Sequence, residues 1–265
     1  MNLFIKHITE YRYEVTGVRG YQQVRLRPAE TPFQKIKTWN LAIQGGENTL
    51  SYIDHFGNAT HFIELKDCSD SVRLIVETEI DLLNNSGVLG NTSELMPTWI
   101  FQNHSDLTSS GKEIRNLAKN QFPEDRLDFC HYLNSKIKNE FSYDKGVSTV
   151  DWTAEDCARA RAGVCQDFAH VFIAAARCRG LAARYISGYL KMDSTDQSAM
   201  HAWAEVLIDG LGWVGFDPTN GICPDDRYVR VAVGRDYTDA SPCKGITHST
   251  NGAETLRVQI EVTQQ

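Results

Sequence analysis

Cys165 lies in Gly163-Val164-Cys165-Gln166-Asp167-Phe168-Ala169-His170, where a glycine-led junction runs into an apolar segment; His201-Ala202-Trp203 and Phe216-Asp217-Pro218 follow downstream. A thiol, an imidazole and a carboxylate in that order make a complete set of nucleophile, base and orienter for acyl transfer. A free thiol is mostly protonated near neutral pH, but a helix N-terminus and a nearby imidazolium lower its pKa to roughly 3.5–7.5. Cys165 is placed for that effect. Phe168, Val171, Phe172, Ala175 and Ala176 recur at three- and four-residue spacing, which predicts a helix with the thiol in its first turn and Gly180 as its stop.

The imidazole must come from another element. His170 lies five residues past Cys165, about 140° round a 3.6-residue helix, so it faces away from the thiol and reads as structural. His201 belongs to a predicted strand over 200–208, and Asp209-Gly210-Leu211-Gly212 reads as a hairpin turn into a second strand that ends at Asp217. With the turn centred on Gly210-Leu211, strict pairing sets His201 opposite Asn220, three residues or roughly 10 Å from Asp217. A bulge, a turn centred nearer Asp209 or a diagonal approach must close that gap. Asn220 is the fallback orienter, its amide oxygen accepting from imidazole Nδ1. Asp167 reads as a first-turn carboxylate favoured by the helix dipole, whose charge would oppose a thiolate if it pointed inward.

The elements that must position these groups are of two kinds. Up to residue 83 apolar residues alternate, as in Tyr11, Tyr13 and Val15 or in Val72, Leu74, Val76, Ile80 and Leu82, which predicts antiparallel strands in a sandwich or barrel. Phe56-Gly57-Asn58-Ala59 between two such runs fits a two-residue hairpin loop. A polar stretch over 84–97 gives way to helical spacing at Ile114, Leu117, Ala118 and Phe122, then at Leu127, Cys130, Leu133, Ile137 and Phe141. A short helix over 154–161, the nucleophile helix and strands over 182–191, 200–208, 212–217, 228–235 and 255–263 complete the chain. The expected class is α+β, with a β-rich domain at 1–95 and a catalytic core at 96–265.

The stretch 163–180, together with Ala183-Arg184-Tyr185-Ile186-Ser187-Gly188-Tyr189-Leu190, His201-Ala202-Trp203, Gly212-Trp213-Val214-Gly215-Phe216-Asp217-Pro218-Thr219-Asn220-Gly221 and Arg230-Val231-Ala232-Val233-Gly234-Arg235-Asp236-Tyr237, resembles the bacterial transglutaminase-like family of cysteine proteases and acyltransferases. The core of that family is related to the papain-like fold. Asp54-His55-Phe56-Gly57-Asn58 resembles the β-rich domain that precedes the core in these proteins, so the likeness spans nearly the whole chain. The resemblance implies Cys165 as nucleophile, His201 as base and Asp217 as the residue that orients it. It also implies a thioester formed on a peptide or protein amide substrate. Water as acceptor makes a peptidase or amidase, and a lysine amine makes a cross-linking protein-glutamine acyltransferase. Hydrolysis is the expected outcome because the family includes proteases. A non-catalytic peptide-binding module is the opposing class, and the complete set of three residues argues against it.

The backbone N–H of Cys165 is the natural first oxyanion donor. Tyr143 and Trp152 carry hydrogen-bonding groups in the segment expected to supply the second, and Gln166 and Trp203 are further oxyanion or substrate candidates. Trp203 and Trp213 are expected to wall the site. The Arg235-Asp236-Tyr237 cluster either positions substrate or forms a surface ion pair.

At 265 residues, 42% hydrophobic and 23% charged, the chain is long enough to bury a core as one large domain or two modest ones. A net charge of −7 without a compact lysine and arginine cluster argues against a nucleic-acid partner. No apolar run approaches the ~18 residues of a bilayer span and residues 1–7 lead into polar alternation, so no membrane association and a cytoplasmic location are expected. Seven cysteines without C-x-x-C spacing suit reduced thiols, and the six besides Cys165 read as small hydrophobes. Asp193, Asp196, Asp225 and Asp226 lack calcium-loop spacing and read as solvated loop charges, so neither a metal nor a cofactor is expected. Turnover should accordingly survive chelation; activity abolished by EDTA and restored by calcium would overturn this expectation.

Overall fold

Alternation of buried and half-exposed residues turns the first part of the chain into strands: β1 (Asn2–Tyr13), β2 (Val18–Val24), β3 (Gln34–Gln44), β4 (Gly46–Ile53), β5 (Ala59–Cys68) and β6 (Ser71–Leu82). A short β7 (Val88–Gly90) and a 3-10 turn (Thr98–Gln102) lead to α1 (Lys112–Leu117), α2 (Arg126–Glu140), β8 (Ser142–Tyr143), α3 (Ala154–Ala160), β9 (Ala162–Gly163) and α4 (Cys165–Cys178). Then come β10 (Ala183–Leu190), β11 (Asp196–Gln197), β12 (His201–Ile208), β13 (Gly212–Phe216), β14 (Tyr228–Gly234), α5 (Tyr237–Ala240), β15 (Cys243–His248) and β16 (Glu254–Gln264). This is a computed structural model, and it describes residues 1–14, 18–68, 71–92, 95–119, 125–192, 196–197, 199–248 and 254–265. The readings made for Val15, Phe122 and Asp193 lie outside those residues. No helix among the described residues is long and apolar enough to cross a membrane.

The α+β expectation holds, with three main sheets ordered β11-β16-β1-β6-β3, β15-β2-β5-β4 and β14-β10-β12-β13-β7. The first two pack face to face as a sandwich over Tyr11, Tyr13, Val24, Leu26, Ile63, Leu65, Val72, Leu74 and Val76. One face of β1 crosses the whole molecule. Leu3 and Ile5 pack into the core around the helices, Tyr11 and Tyr13 into the sandwich, and the buried polar pair His7 and Thr9 lies between them. The helices begin after the first six long strands, and the last strands of the chain return to those first sheets. β16 pairs with β1 and β15 with β2, so both return to the N-terminal sheets. β15 itself had no clear alternation to announce it.

The connection between β4 and β5 is five residues, Asp54 to Asn58, because Ile53 pairs with Ala59; the two-residue loop expected there is corrected. Asp54 shapes the turn by accepting the Phe56 and Asn58 N–H groups at 2.9 Å each, and Gly57 takes φ 86°. The loop is long because its last residue has a second task. The Asn58 amide donates to Val233 O and accepts from Val233 N, both at 2.8 Å, and the Gln34 amide does the same for Arg230 at 2.7 and 2.8 Å. Two side chains from the N-terminal half thus occupy the open β14 edge of the third sheet, as a neighbouring strand would.

The helix that starts at Cys165 is apolar on every side, and all its residues from Asp167 to Arg177 are buried. It lies at the centre of the main core, packed on one face of the β10, β12 and β13 layer. Its far end is pinned by Arg177, which donates to Phe101 O, Ala183 O, Arg235 O and the Thr108 hydroxyl at 2.6–3.2 Å. Gly180 at φ 72° ends it as expected. Asn58→Ala strips both edge bonds from Val233 and should cost about 2 kcal/mol of stability. A urea midpoint within error of wild type would show that the edge needs no such cover.

Candidate active site

Cys165 is the first residue of α4, and the geometry before it is tight. A Cβ on Gly163 would meet the Asp167 carboxylate at 2.7 Å, so only glycine allows that carboxylate to fold back over the helix start. Asp167 accepts from Val164 N at 2.8 Å and from the Ser148 hydroxyl at 2.7 Å. Burial pushes its pKa up, and those two bonds pull it the other way. Both bonds fall on Oδ2, and the Cys165 N–H at the first position of the helix is left for a ligand. The sulfur is partly exposed and stands 4.0 Å from Met200 O, at the start of β12.

The register difficulty resolves by half a residue. β12 and β13 pair Ala204 with Phe216 and Ile208 with Gly212, so the turn is the three residues Asp209-Gly210-Leu211 centred on Gly210, which takes φ 79°. One step further sets Asp217 opposite Trp203. Because strand side chains alternate, His201, Trp203 and Asp217 then share one face, and the diagonal from 201 to 217 is short. His201 Nε2 lies 2.7 Å from Asp217 Oδ2, and the Cys165 side chain is the other ionisable group that acts on the ring. The nitrogen turned to the carboxylate is Nε2, not Nδ1, which leaves Nδ1 for the sulfur.

Asp217 is fully buried and saturated. Its Oδ2 accepts from His201, from the Asn220 amide at 2.7 Å and from the Tyr228 hydroxyl at 2.7 Å, while Oδ1 accepts the Thr219 and Asn220 N–H groups at 2.9 and 3.3 Å. Burial opposes its charge, but the bonds from His201, Tyr228 and Asn220 prevail and hold its pKa below the usual range. Asn220 is therefore a support of the carboxylate and not the alternative partner of the imidazole. Burial also opposes charge on His201, yet Asp217 and Cys165 together raise its pKa to about 10. Trp203 stacks on His201 at 6.2 Å, and Tyr228 meets Trp203 edge-on at 5.5 Å.

Cys165 and His201 open onto a cavity of about 320 Å³. Of the other candidates only Gln166 lines it, its amide reaching Val150 O at 3.4 Å. Tyr143 is half exposed and lies edge-on to Phe168, and Trp152 packs against the main core; neither reaches the cavity. Trp203, 3% exposed, sits behind the imidazole and does not wall the cleft. Trp213 is deeper still, with the Arg184 guanidinium 3.7 Å from its ring centre. In the 235–237 cluster, Arg235 pairs with Asp239 at 2.8 Å and Asp236 caps α5, so only Tyr237 faces the cavity. His170 is buried, as its place on the helix predicts, with Tyr237 N donating to its Nε2.

The opposite wall was not foreseen. It consists of His7, Thr9 and Tyr11 from β1, Cys243 from β15, and Leu256 and Val258 from β16. His7 binds the Tyr189 hydroxyl through Nδ1 and the Thr9 hydroxyl through Nε2, each at 2.9 Å, and burial lowers its pKa to about 4. Burial pushes the Cys243 thiol up to about 12. Among the described residues the lining contains no Lys, Arg, Asp or Glu. One signal was available, since His7 and Thr9 are polar at inward positions of an otherwise apolar alternation.

Residues 115–218 match the family model of the Transglutaminase-like superfamily, and residues 3–81 that of the Bacterial transglutaminase-like N-terminal region. The chain is 30% identical over 284 residues to the uncharacterized protein ML0607 of Mycobacterium leprae, covering 98% of this chain and 97% of that one. The chain belongs to the transglutaminase-like superfamily. Another relative is the uncharacterized protein Rv2569c of Mycobacterium tuberculosis, 28% identical over 286 residues, with 97% and 91% covered. Among solved structures, a candidate cysteine protease from Cytophaga hutchinsonii superposes with a TM-score of 0.73 at 22% identity, covering 99% of this chain and 98% of that one. At that identity the likeness is one of fold, and it extends over both halves.

The raised His201 pKa has a sign that can be tested. Between the unfolded value of 6.5 and the folded value of about 10 the folded chain holds the extra proton, so this group stabilises fully below pH 6.5 and its contribution is lost as pH rises toward 10. Unfolding free energy should fall across that window in wild type, and the fall should shrink in His201→Gln. Parallel profiles would contradict the His201–Asp217 coupling.

Proposed function

We propose that this protein is a cysteine peptidase or amidase that cleaves a peptide or amide bond through a thioester on Cys165. The observation that carries the reading is the relay from a cavity-facing sulfur through His201 to a buried, saturated Asp217. His201 takes the thiol proton as the reaction begins. The thiolate attacks the amide carbonyl, the Cys165 N–H meets the developing oxyanion, and His201 hands its proton to the leaving amine. Asp217 fixes the ring and keeps its own charge throughout. Neutral His201 then takes a proton from water, which attacks the thioester and frees the sulfur.

Water is favoured over an amine acceptor because the described lining is made of apolar and uncharged polar side chains, which suit an amide more than a lysine ammonium. The reading also needs a reduced thiol, and the six cysteines seen among the described residues are all free, which suits a reducing compartment such as the cytoplasm. Substoichiometric iodoacetamide near pH 6 should label Cys165 first, with no comparable site elsewhere. Incubated with a mixed peptide and glutamine-amide library, with and without a primary amine, wild type should yield cleaved or deamidated products and Cys165→Ala none. Amine-adducted products would shift the reading to cross-linking. Equal products from both proteins would remove the thiol from the mechanism.

A further inference from the structure

The proposed thioester route leaves one oxyanion donor unassigned, because Tyr143 and Trp152 stand away from the cavity. The side-chain donors that do line it are mostly committed. His7 and Thr9 bond each other, Tyr11 bonds Cys243, the Ser187 hydroxyl donates to Ala240 O at 2.7 Å, and Gln166 reaches Val150 O. Tyr185 and Tyr237 remain, and neither hydroxyl makes a hydrogen bond within the protein among the described residues. The charge of Cys165 bears on Tyr185 and on Tyr143 alike, but of those two only Tyr185 lines the cavity, and Tyr237 has Cys243 as its ionisable neighbour.

Tyr185 is also the better held of the two. It is 2% exposed, and it sits on β10 opposite Ala204 of β12, the strand that begins with His201. His170 backs its ring at 5.1 Å between centroids, and Tyr237 meets it edge-on at 6.4 Å. An unpartnered hydroxyl at the tip of a buried ring, opening onto a cavity beside the nucleophile, is a donor waiting for an acceptor.

We propose that the Tyr185 hydroxyl is the second donor to the substrate carbonyl oxygen when Cys165 is acylated. This rests on the thioester reading above. The sulfur's electron pair forms the S–C bond, the carbonyl π pair moves onto oxygen, and that oxygen accepts from Tyr185 Oη–H and from the Cys165 N–H. Collapse re-forms the carbonyl and expels the leaving group with the His201 proton. Tyr185 keeps its own proton throughout, since burial pushes the phenol well above its ordinary pKa.

Two reactions of the same sulfur separate this role from a structural one. Acylation by p-nitrophenyl acetate passes through an oxyanion, whereas alkylation by iodoacetamide is a displacement at carbon that develops none. In Tyr185→Phe the ratio of acylation to alkylation rate at Cys165, followed by mass, should fall by about 10²-fold, with alkylation itself near wild type. A folding defect would lower both rates and leave the ratio unchanged, which overturns the proposal, as does an unchanged ratio in a well-folded variant. A ratio that falls in Tyr143→Phe instead would assign the donor to Tyr143. If wild-type Cys165 shows no fast alkylation, the thioester reading fails, and this inference goes with it.

Discussion

A carboxylate with no solvent exposure has to be held charged, and that requirement organises the half of this molecule that carries Cys165 and His201. Asp217 stays ionised because five hydrogen bonds converge on its two oxygens, three from side chains and two from backbone N–H groups that the turn after β13 supplies. Removing any one returns part of the desolvation cost of a buried charge, which is large compared with the value of a single bond. The arrangement exists only in one strand register. Sliding β13 by one residue against β12 would turn Asp217 to the face occupied by α4, where Ala202, Ala204 and Val206 pack against apolar side chains.

The two faces of the sheet that carries His201 are therefore unlike in kind. On one, small side chains of β12 let the central helix lie close, and its length fixes where the sulfur stands. On the other, Trp203, Trp213, Ile186, Tyr228 and Phe56 form a separate apolar cluster beneath the imidazole. His201 lies where these layers end, so its ring spans from the carboxylate on one side to the thiol at the helix start. The N-terminal half closes the arrangement. Asn58 and Gln34 fasten the sheet's open edge, and β1 with β16 supplies the far wall of the cavity, so the β-rich half is part of the cleft and not an appendage.

What the sequence disclosed was whatever depends on neighbours along the chain. Helix α4, the hairpin, the strands on either side of it and the three reactive residues follow from periodicity, glycine placement and residue type. The register was missed by half a residue because a three-residue turn on Gly210 and a two-residue turn look alike in composition. The Tyr228 support of Asp217, the placement of Tyr185 and the His7–Thr9 wall depend on contacts over long separations, which a single sequence does not display. Trp203 and Trp213 were misplaced for a related reason. An aromatic residue next to a reactive one signals packing, and packing beneath a ring serves as well as walling a cleft.

The neutral lining gives the relay its electrostatic force. Among the described residues the cavity lining holds no lysine, arginine, aspartate or glutamate, His7 and Cys243 are kept uncharged by burial, and Asp217 and Cys165 are the ionisable groups that act on His201. Attraction between buried charges is little screened by salt and exceeds that of the same pair in water. A nearby carboxylate on the wall would compete with the thiolate for the imidazolium, and a nearby cation would drain the proton that the leaving group needs. Polar but uncharged side chains avoid both while still offering hydrogen bonds to an amide. The polar break in the alternation of β1 is thus explained by the same requirement that keeps Asp217 ionised, namely that charge inside this cleft be confined to the groups that exchange the proton.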